Sequence, residues 1–271
     1  MRKIDTYGRF HRHIRAWAER EVDCLLVLGR PGFGKSSTVK QVLGDRPHHL
    51  FSARQAPIEV YKALYDAPTL PVVLDDVGSL LKDPHFIDML KNLCETEARK
   101  TLRWQTTTTK LDGRDTSFVC TSRVLILLNK VPDKNPDVQA ILDRCDTIEF
   151  RPDKGEVIRR MRDVFPQDGG LVDLLAELPV LPSLRTLVKA KQWSKSRHLS
   201  LTEELFAECG VPEPVRALIG IMESHPEDDW RSLYVDATGL TDRSYRRHKV
   251  IAEEILAGRT NGHGIMDMAA A

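Results

Sequence analysis

Gly29, Gly34, Lys35 and Ser36 stand at the spacing GxxxxGK[ST], with a further glycine at Gly32. Glycines so placed let successive backbone N–H groups turn inward around an anion. The lysine adds a mobile positive charge, and the serine hydroxyl adds a hard oxygen ligand for a divalent cation. This combination suits the binding of ATP with Mg²⁺. In that reading Lys35 reaches the β- and γ-phosphates and Ser36 coordinates the metal. Pro31, Phe33 and Ser37 complete the ATP-binding loop.

Hydrolysis needs a carboxylate near the metal and a group that positions the attacking water. Asp75 and Asp76 close an apolar run at 70–74, and Asn129 closes another at 124–128. Strand ends are where such groups sit in open α/β sheets. Asp75 is therefore expected to serve Mg²⁺ and Asp76 the water. Asn129 offers an amide to the γ-phosphate or to that water.

These residues need elements to hold them. The run CLLVL at 24–28 reads as a strand buried on both faces, followed by the glycine loop and a helix. Tyr7, Phe10, Ile14 and Trp17 recur at helical spacing within 5–20. A helix is expected at about 84–98, a further helix at 137–145 and a strand at 147–150. The β-prone segments LRWQTTTT and SFVCTS flank LDGRD, whose Asp112-Gly113 step predicts a hairpin. Beyond Arg151-Pro152 only helical periodicity is found: about 155–164, 171–177, 183–195, 201–208, 213–223, 227–237 and 241–256.

The elements together resemble the AAA+ ATPases. GRPGFGKS is similar to their Walker A loop, VVLDD to Walker B and ILLN to the sensor 1 strand. AILDRCDTIEF looks like the segment that carries an arginine finger in clamp loaders and their relatives, which places that finger at Arg144. PSLRTLVKA looks like the sensor 2 helix of the lid, with Arg185 as the sensing arginine. The resemblance covers about residues 4–195. It implies a P-loop parallel sheet flanked by helices over 1–151 and an all-α lid over 152–198. Beyond the resemblance, the residues themselves lead to the expectation of a small helix-turn-helix-like domain over 199–257 and, where periodicity ends, a disordered tail over 258–271. The resemblance also implies a homo-oligomer, ring or filament, in which Arg144 acts on a neighbour's ATP. The chain departs from the usual Asp-Glu of Walker B. Asp76 is one methylene shorter than glutamate, so its carboxylate sits about 1.5 Å further back.

Bulk properties are neutral on the target. A net charge of +1 draws in no polyanion, so a nucleic-acid surface has to be local. Lys110 and Arg114 near the hairpin tip form one candidate surface. The cationic stretch 185–197, with Trp193 among its charges, forms another. The third is the segment 230–256, read as helix, glycine turn, helix, in which Arg243, Arg246, Arg247 and Lys249 could face a DNA groove. The expected target is DNA or a DNA-bound protein. The alternatives are a protein-remodelling chaperone and an ATP-dependent oligomerisation switch with little turnover. Five widely spaced cysteines without a CxxC pair argue against a disulfide framework or a zinc site. The longest apolar run is too short to span a membrane, and no signal peptide is read at MRKIDTYGRF. A cytoplasmic setting is expected.

Overall fold

The computed structural model describes residues 1–52, 55–104, 111–130, 135–178, 180–225 and 229–256. The chain divides into two compact units, Met1–Pro152 and Asp153–Ala271.

The first unit is built on a six-stranded, all-parallel sheet. Its strands are β1 (Arg2–Ile4), β2 (Cys24–Leu28), β3 (His49–Ser52), β4 (Val72–Asp75), β7 (Val124–Leu128) and β8 (Asp146–Phe150), in the order β1-β8-β2-β7-β4-β3. All five residues of β2 and all five of β7 are buried, as a strand covered on both faces requires. Pairing is in register. Leu28 lies opposite Leu128, and Asp75 lies opposite Leu127. The C-terminal ends of β2, β4 and β7 therefore finish level at one edge.

Helix α1 (Tyr7–Ala18) starts at Thr6, whose side chain accepts from the Arg9 N–H. Phe10, Ile14 and Trp17 are wholly buried along its inner stripe. Burial of each such side chain contributes about 2–3 kcal/mol. Phe10 stacks on Phe150 of β8 at 4.3 Å between ring centroids. Helix α2 (Lys35–Leu43) follows the glycine loop directly. Helix α3 (Pro57–Asp66) and the edge strands β1 and β3 were not anticipated from the sequence. Helix α4 (Pro84–Leu93) is capped by Asp83 and stops short of the expected residue 98. Helix α5 (Pro136–Arg144) is capped by Asn135.

The expected hairpin is present. Strands β5 (Lys100–Arg103) and β6 (Ser117–Cys120) pair antiparallel in a separate two-stranded sheet. Asp112 and Gly113 both take positive φ, at 53° and 81°, between these strands. The aromatic face of the hairpin rests on Tyr61 of α3, which meets Phe118 edge-on at 5.2 Å.

The second unit is helical among its described residues. It runs α6 (Lys154–Val164), α7 (Gly169–Glu177), α8 (Leu184–Trp193), α9 (Leu201–Glu208), α10 (Glu213–Ser224), α11 (Trp230–Thr238) and α12 (Asp242–Leu256). Helix α8 opens on a reciprocal capping box between Ser183 and Thr186. Helix α11 ends at Gly239, which takes the left-handed conformation that lets the chain turn into α12. Tyr234 and Tyr245 meet across that turn at 5.6 Å. The tail at 258–271 lies outside the described residues.

His248 on α12 is bonded to the Tyr234 hydroxyl through Nδ1 at 2.6 Å. Burial, with the Arg247 charge adding, holds its pKa below the ordinary 6.5. The unfolded chain therefore takes up this proton more readily than the folded one. The histidine's contribution is fully present above its unfolded value and is lost as pH falls through the folded one. Amide exchange in α11 and α12 is expected to accelerate as pH drops below about 6.5, after correction for intrinsic rates. His248→Gln should flatten that dependence; an unchanged slope would assign it to other groups.

Candidate active site

The loop between β2 and α2 leaves the sheet at Gly29, whose N–H donates to the Leu128 carbonyl at 3.2 Å. A Cβ at Gly29 would lie 2.7 Å from the Phe150 carbonyl oxygen, which belongs to backbone and cannot swing aside. The position is thus confined to glycine by close approach. Gly29→Ala is expected to cost about 1–3 kcal/mol by overpacking, read as a lowered Tm. An unchanged Tm would mean that the loop can shift away from β8 freely.

Gly32 and Gly34 take φ of 83° and 76°, which bends the loop back over the start of α2. No side chain caps that helix. Its first N–H groups and the positive end of its dipole are open to an anion. Phe33 is buried, and its carbonyl accepts from the Tyr7 hydroxyl at 3.1 Å. Helix α1 thereby pins the middle of the loop. Sequence reading missed this role, because an amphipathic helix accounts for Tyr7 without it. Pro31 is exposed, Ser36 is half-buried at the first turn of α2, and the exposed Ser37 donates to the Gly34 carbonyl.

Lys35 is only 7% exposed. Its ammonium donates to the Gly29 carbonyl at 2.5 Å, the Arg30 carbonyl at 3.0 Å and Asn129 Oδ1 at 3.0 Å. The Asn129 amide in turn donates to Asp76 Oδ1 at 3.2 Å. Lys35, Asn129 and Asp76 form one hydrogen-bonded chain across three elements. Asp76 has φ of 56°, and its N–H donates to the Leu127 carbonyl at 3.1 Å. The left-handed turn ends β4 and leaves the Asp76 side chain exposed, while Asp75 is half-buried in the strand. An ammonium, open helix N–H groups, a serine hydroxyl and two carboxylates make a donor set that fits a Mg²⁺-bound triphosphate.

The other candidates are placed as follows. Arg144 ends α5, donates to the Ala140 carbonyl at 2.8 Å and lies 3.7 Å from Glu95. Arg185 is exposed in the first turn of α8 and has no ion pair among the described residues. Lys110 lies outside the described residues. Arg114 grips Asp66 with two bonds, at 2.7 and 2.8 Å, and donates to the Leu111 carbonyl. That grip holds the hairpin to α3 and must open before Arg114 meets a phosphate. In the stretch 185–197, Lys189 pairs with Glu208 and Lys191 with Asp168. Both acids come from elsewhere in the unit.

On α12, Tyr245 and Ile251 are buried and Arg243, Arg246 and Arg247 are exposed. Arg246 pairs with Asp242 at 2.9 Å. Lys249 lies 3.6 Å from Glu253 and 5.5 Å from the centre of the Trp230 ring. No described helix is long and apolar enough to cross a membrane.

No protein-family model matches the sequence, and no curated protein matches it. Among solved structures, the chain is similar to a mutant RuvB from Thermogota maritima. The TM-score is 0.51 at 11% identity, over 89% of this chain and 93% of that one. At that identity the likeness is one of fold. It agrees with the parallel, helix-flanked α/β core expected from the sequence.

Proposed function

We propose that the chain is an AAA+ ATPase that binds ATP with Mg²⁺ and hydrolyses it. The observation that carries this reading is the Lys35–Asn129–Asp76 chain at the uncapped start of α2. When bound, Mg²⁺ would be held by Ser36 and Asp75 and would supply charge neutralisation between phosphate oxygens. Lys35 and the open N–H groups of α2 hold the phosphates. Asp76 orients the attacking water and accepts its proton, while Asn129 fixes the carboxylate and offers its amide to the reacting centre.

In this reading the site is completed between subunits of a homo-oligomer, a ring or a filament. Arg144 stabilises transition-state charge on a neighbour's nucleotide, and Arg185 in the lid (152–198) is the nucleotide-sensing arginine. The helices of 199–257 form a helix-turn-helix-like domain whose α12 engages DNA or a DNA-bound partner. Support comes from buried Tyr245 and Ile251 on one side of α12 and exposed Arg243, Arg246 and Arg247 on the other. Lys110, Arg114 and Lys249 are the remaining candidate phosphate contacts.

The test is ATP turnover and subunit count, with and without duplex DNA, using ATP and a slowly hydrolysed analogue. Stimulation by DNA, lost in Arg246→Ala, is expected. Turnover stimulated by unfolded peptide instead would make the chain a remodelling chaperone. Negligible turnover with ATP-dependent assembly intact would make it an oligomerisation switch. Mixing Arg144→Ala with Lys35→Ala subunits tests the shared site. Each variant is impaired alone, and the mixture should recover part of the turnover.

A further inference from the structure

Cys24, Cys94 and Cys145 are far apart in sequence, yet their sulfur atoms all lie within 4.8 Å of one another. Cys24 is the first residue of β2, Cys94 follows the last residue of α4, and Cys145 follows the last residue of α5. All three are buried and reduced. They sit around the N-terminal start of β2, the opposite end of that strand from Gly29 and the phosphate loop.

Three features of this cluster point to a cation. The first is spacing. Three thiolates about 2.3 Å from one metal ion lie about 4 Å apart, so closing the ring asks for sulfur shifts under about 1 Å. The second is the placement of two helix C-termini. Helices end with unsatisfied carbonyls and partial negative charge, which favour a cation and disfavour bare thiolates. The third is Lys100, which is 4% exposed and donates to the Ser122 carbonyl at 3.1 Å. No carboxylate pairs with it among the described residues, and its charge bears on all three sulfurs. A buried ammonium calls for a balancing negative charge. Three thiolates on a divalent ion carry a net charge of −1, which Lys100 neutralises.

We propose that Cys24, Cys94 and Cys145 bind one thiophilic divalent cation, of the Zn²⁺ kind, with Lys100 as its charge partner. Binding releases the three thiol protons, so affinity rises steeply with pH. The cation ties the ends of α4 and α5 to β2 and raises the melting temperature of the first unit. The proposal does not depend on the ATPase reading, since none of its residues belongs to the phosphate site.

The experiment uses the full chain, reduced and stripped of metal, at pH 8. Zn²⁺ stoichiometry is read after gel filtration. Cd²⁺ serves as an optical probe through its thiolate-to-metal absorption, and Cu⁺ is titrated anaerobically in a parallel arm. One equivalent is expected, with three thiols newly protected from alkylation. Cys24→Ser, Cys94→Ser and Cys145→Ser should each weaken binding by at least about 100-fold. Lys100→Met should weaken it by about 10-fold or more, as loss of an outer partner does. Cys209→Ser should leave it unchanged. Circular dichroism checks that each variant folds, and alanine replaces serine where it does not. The thiol-protection result on the unaltered chain stands in any case. No stoichiometric uptake of any of the three ions, uptake that survives Cys94→Ser, or uptake that disappears with Cys209→Ser would overturn the proposal. Uptake of Cu⁺ alone would also overturn it, because three thiolates on a monovalent ion carry −2 against the single charge of Lys100.

Discussion

Lys35→Ala is expected to weaken ATP binding on the order of 10²- to 10³-fold and to abolish measurable turnover. The ammonium bridges the Gly29 carbonyl, the Arg30 carbonyl and Asn129. Its hydrogen bonds to phosphate oxygens would be charge-assisted, and such bonds contribute about 1.5–3 kcal/mol each. At about 1.4 kcal/mol per tenfold, losing two of them is worth about 10²- to 10⁴-fold, and the expected range is the lower part because the protein's own bonds to Lys35 offset some of it. Equilibrium titration with a fluorescent ATP analogue measures the effect. Thermal unfolding of the variant separates it from loss of fold, because alanine also leaves a buried loop carbonyl without its donor. Undiminished affinity in a folded variant would place the nucleotide elsewhere.

Asp76→Asn should do the reverse. Turnover falls by about 10²- to 10⁴-fold, the range for removal of a positioned general base, while ATP affinity stays within a few-fold. Asparagine suits the test because it tolerates the left-handed φ of 56° at this position better than most residues. The substitution also keeps a hydrogen-bonding partner for Asn129. Single-turnover hydrolysis beside equilibrium binding makes the distinction. Turnover equal to that of the unaltered chain would remove Asp76 from the reaction and leave Asp75 as the only acid in play.

Much of the first unit was legible because β2 and β7 are buried on both faces. Continuous apolar runs such as CLLVL have few other uses beside a glycine loop. Edge strands are different. Strand β1 has three residues, and β3 buries only Phe51 fully, so neither carries a periodic signal. The members of the candidate site were legible from the strand ends, but their connectivity was not. Nothing local in the sequence says that the Asn129 amide spans Lys35 and Asp76, or that Tyr7 holds the loop. Long-range partners also changed the meaning of charges. Arg114 looked like a free cation at a hairpin tip, and it is bound to Asp66, 48 residues away. The same blindness explains the cysteines. Spacing rules detect ligands that share a turn or a hairpin. Cys24, Cys94 and Cys145 come from three separate elements and meet only when α4 and α5 dock on the sheet.

The hydrogen bonds of the Lys35 ammonium carry a last consequence, for ligand selectivity. The Gly29 and Arg30 carbonyls and Asn129 Oδ1 are neutral acceptors for that charge, so an incoming molecule competes with the protein's own backbone and with Asn129. A ligand offering only neutral acceptors gains little by displacing them. A ligand with ionised oxygens does gain, because a charge-assisted bond is about twice as strong as a neutral one. Under the proposed function, the loop would thereby favour ligands with ionised oxygens over neutral ones.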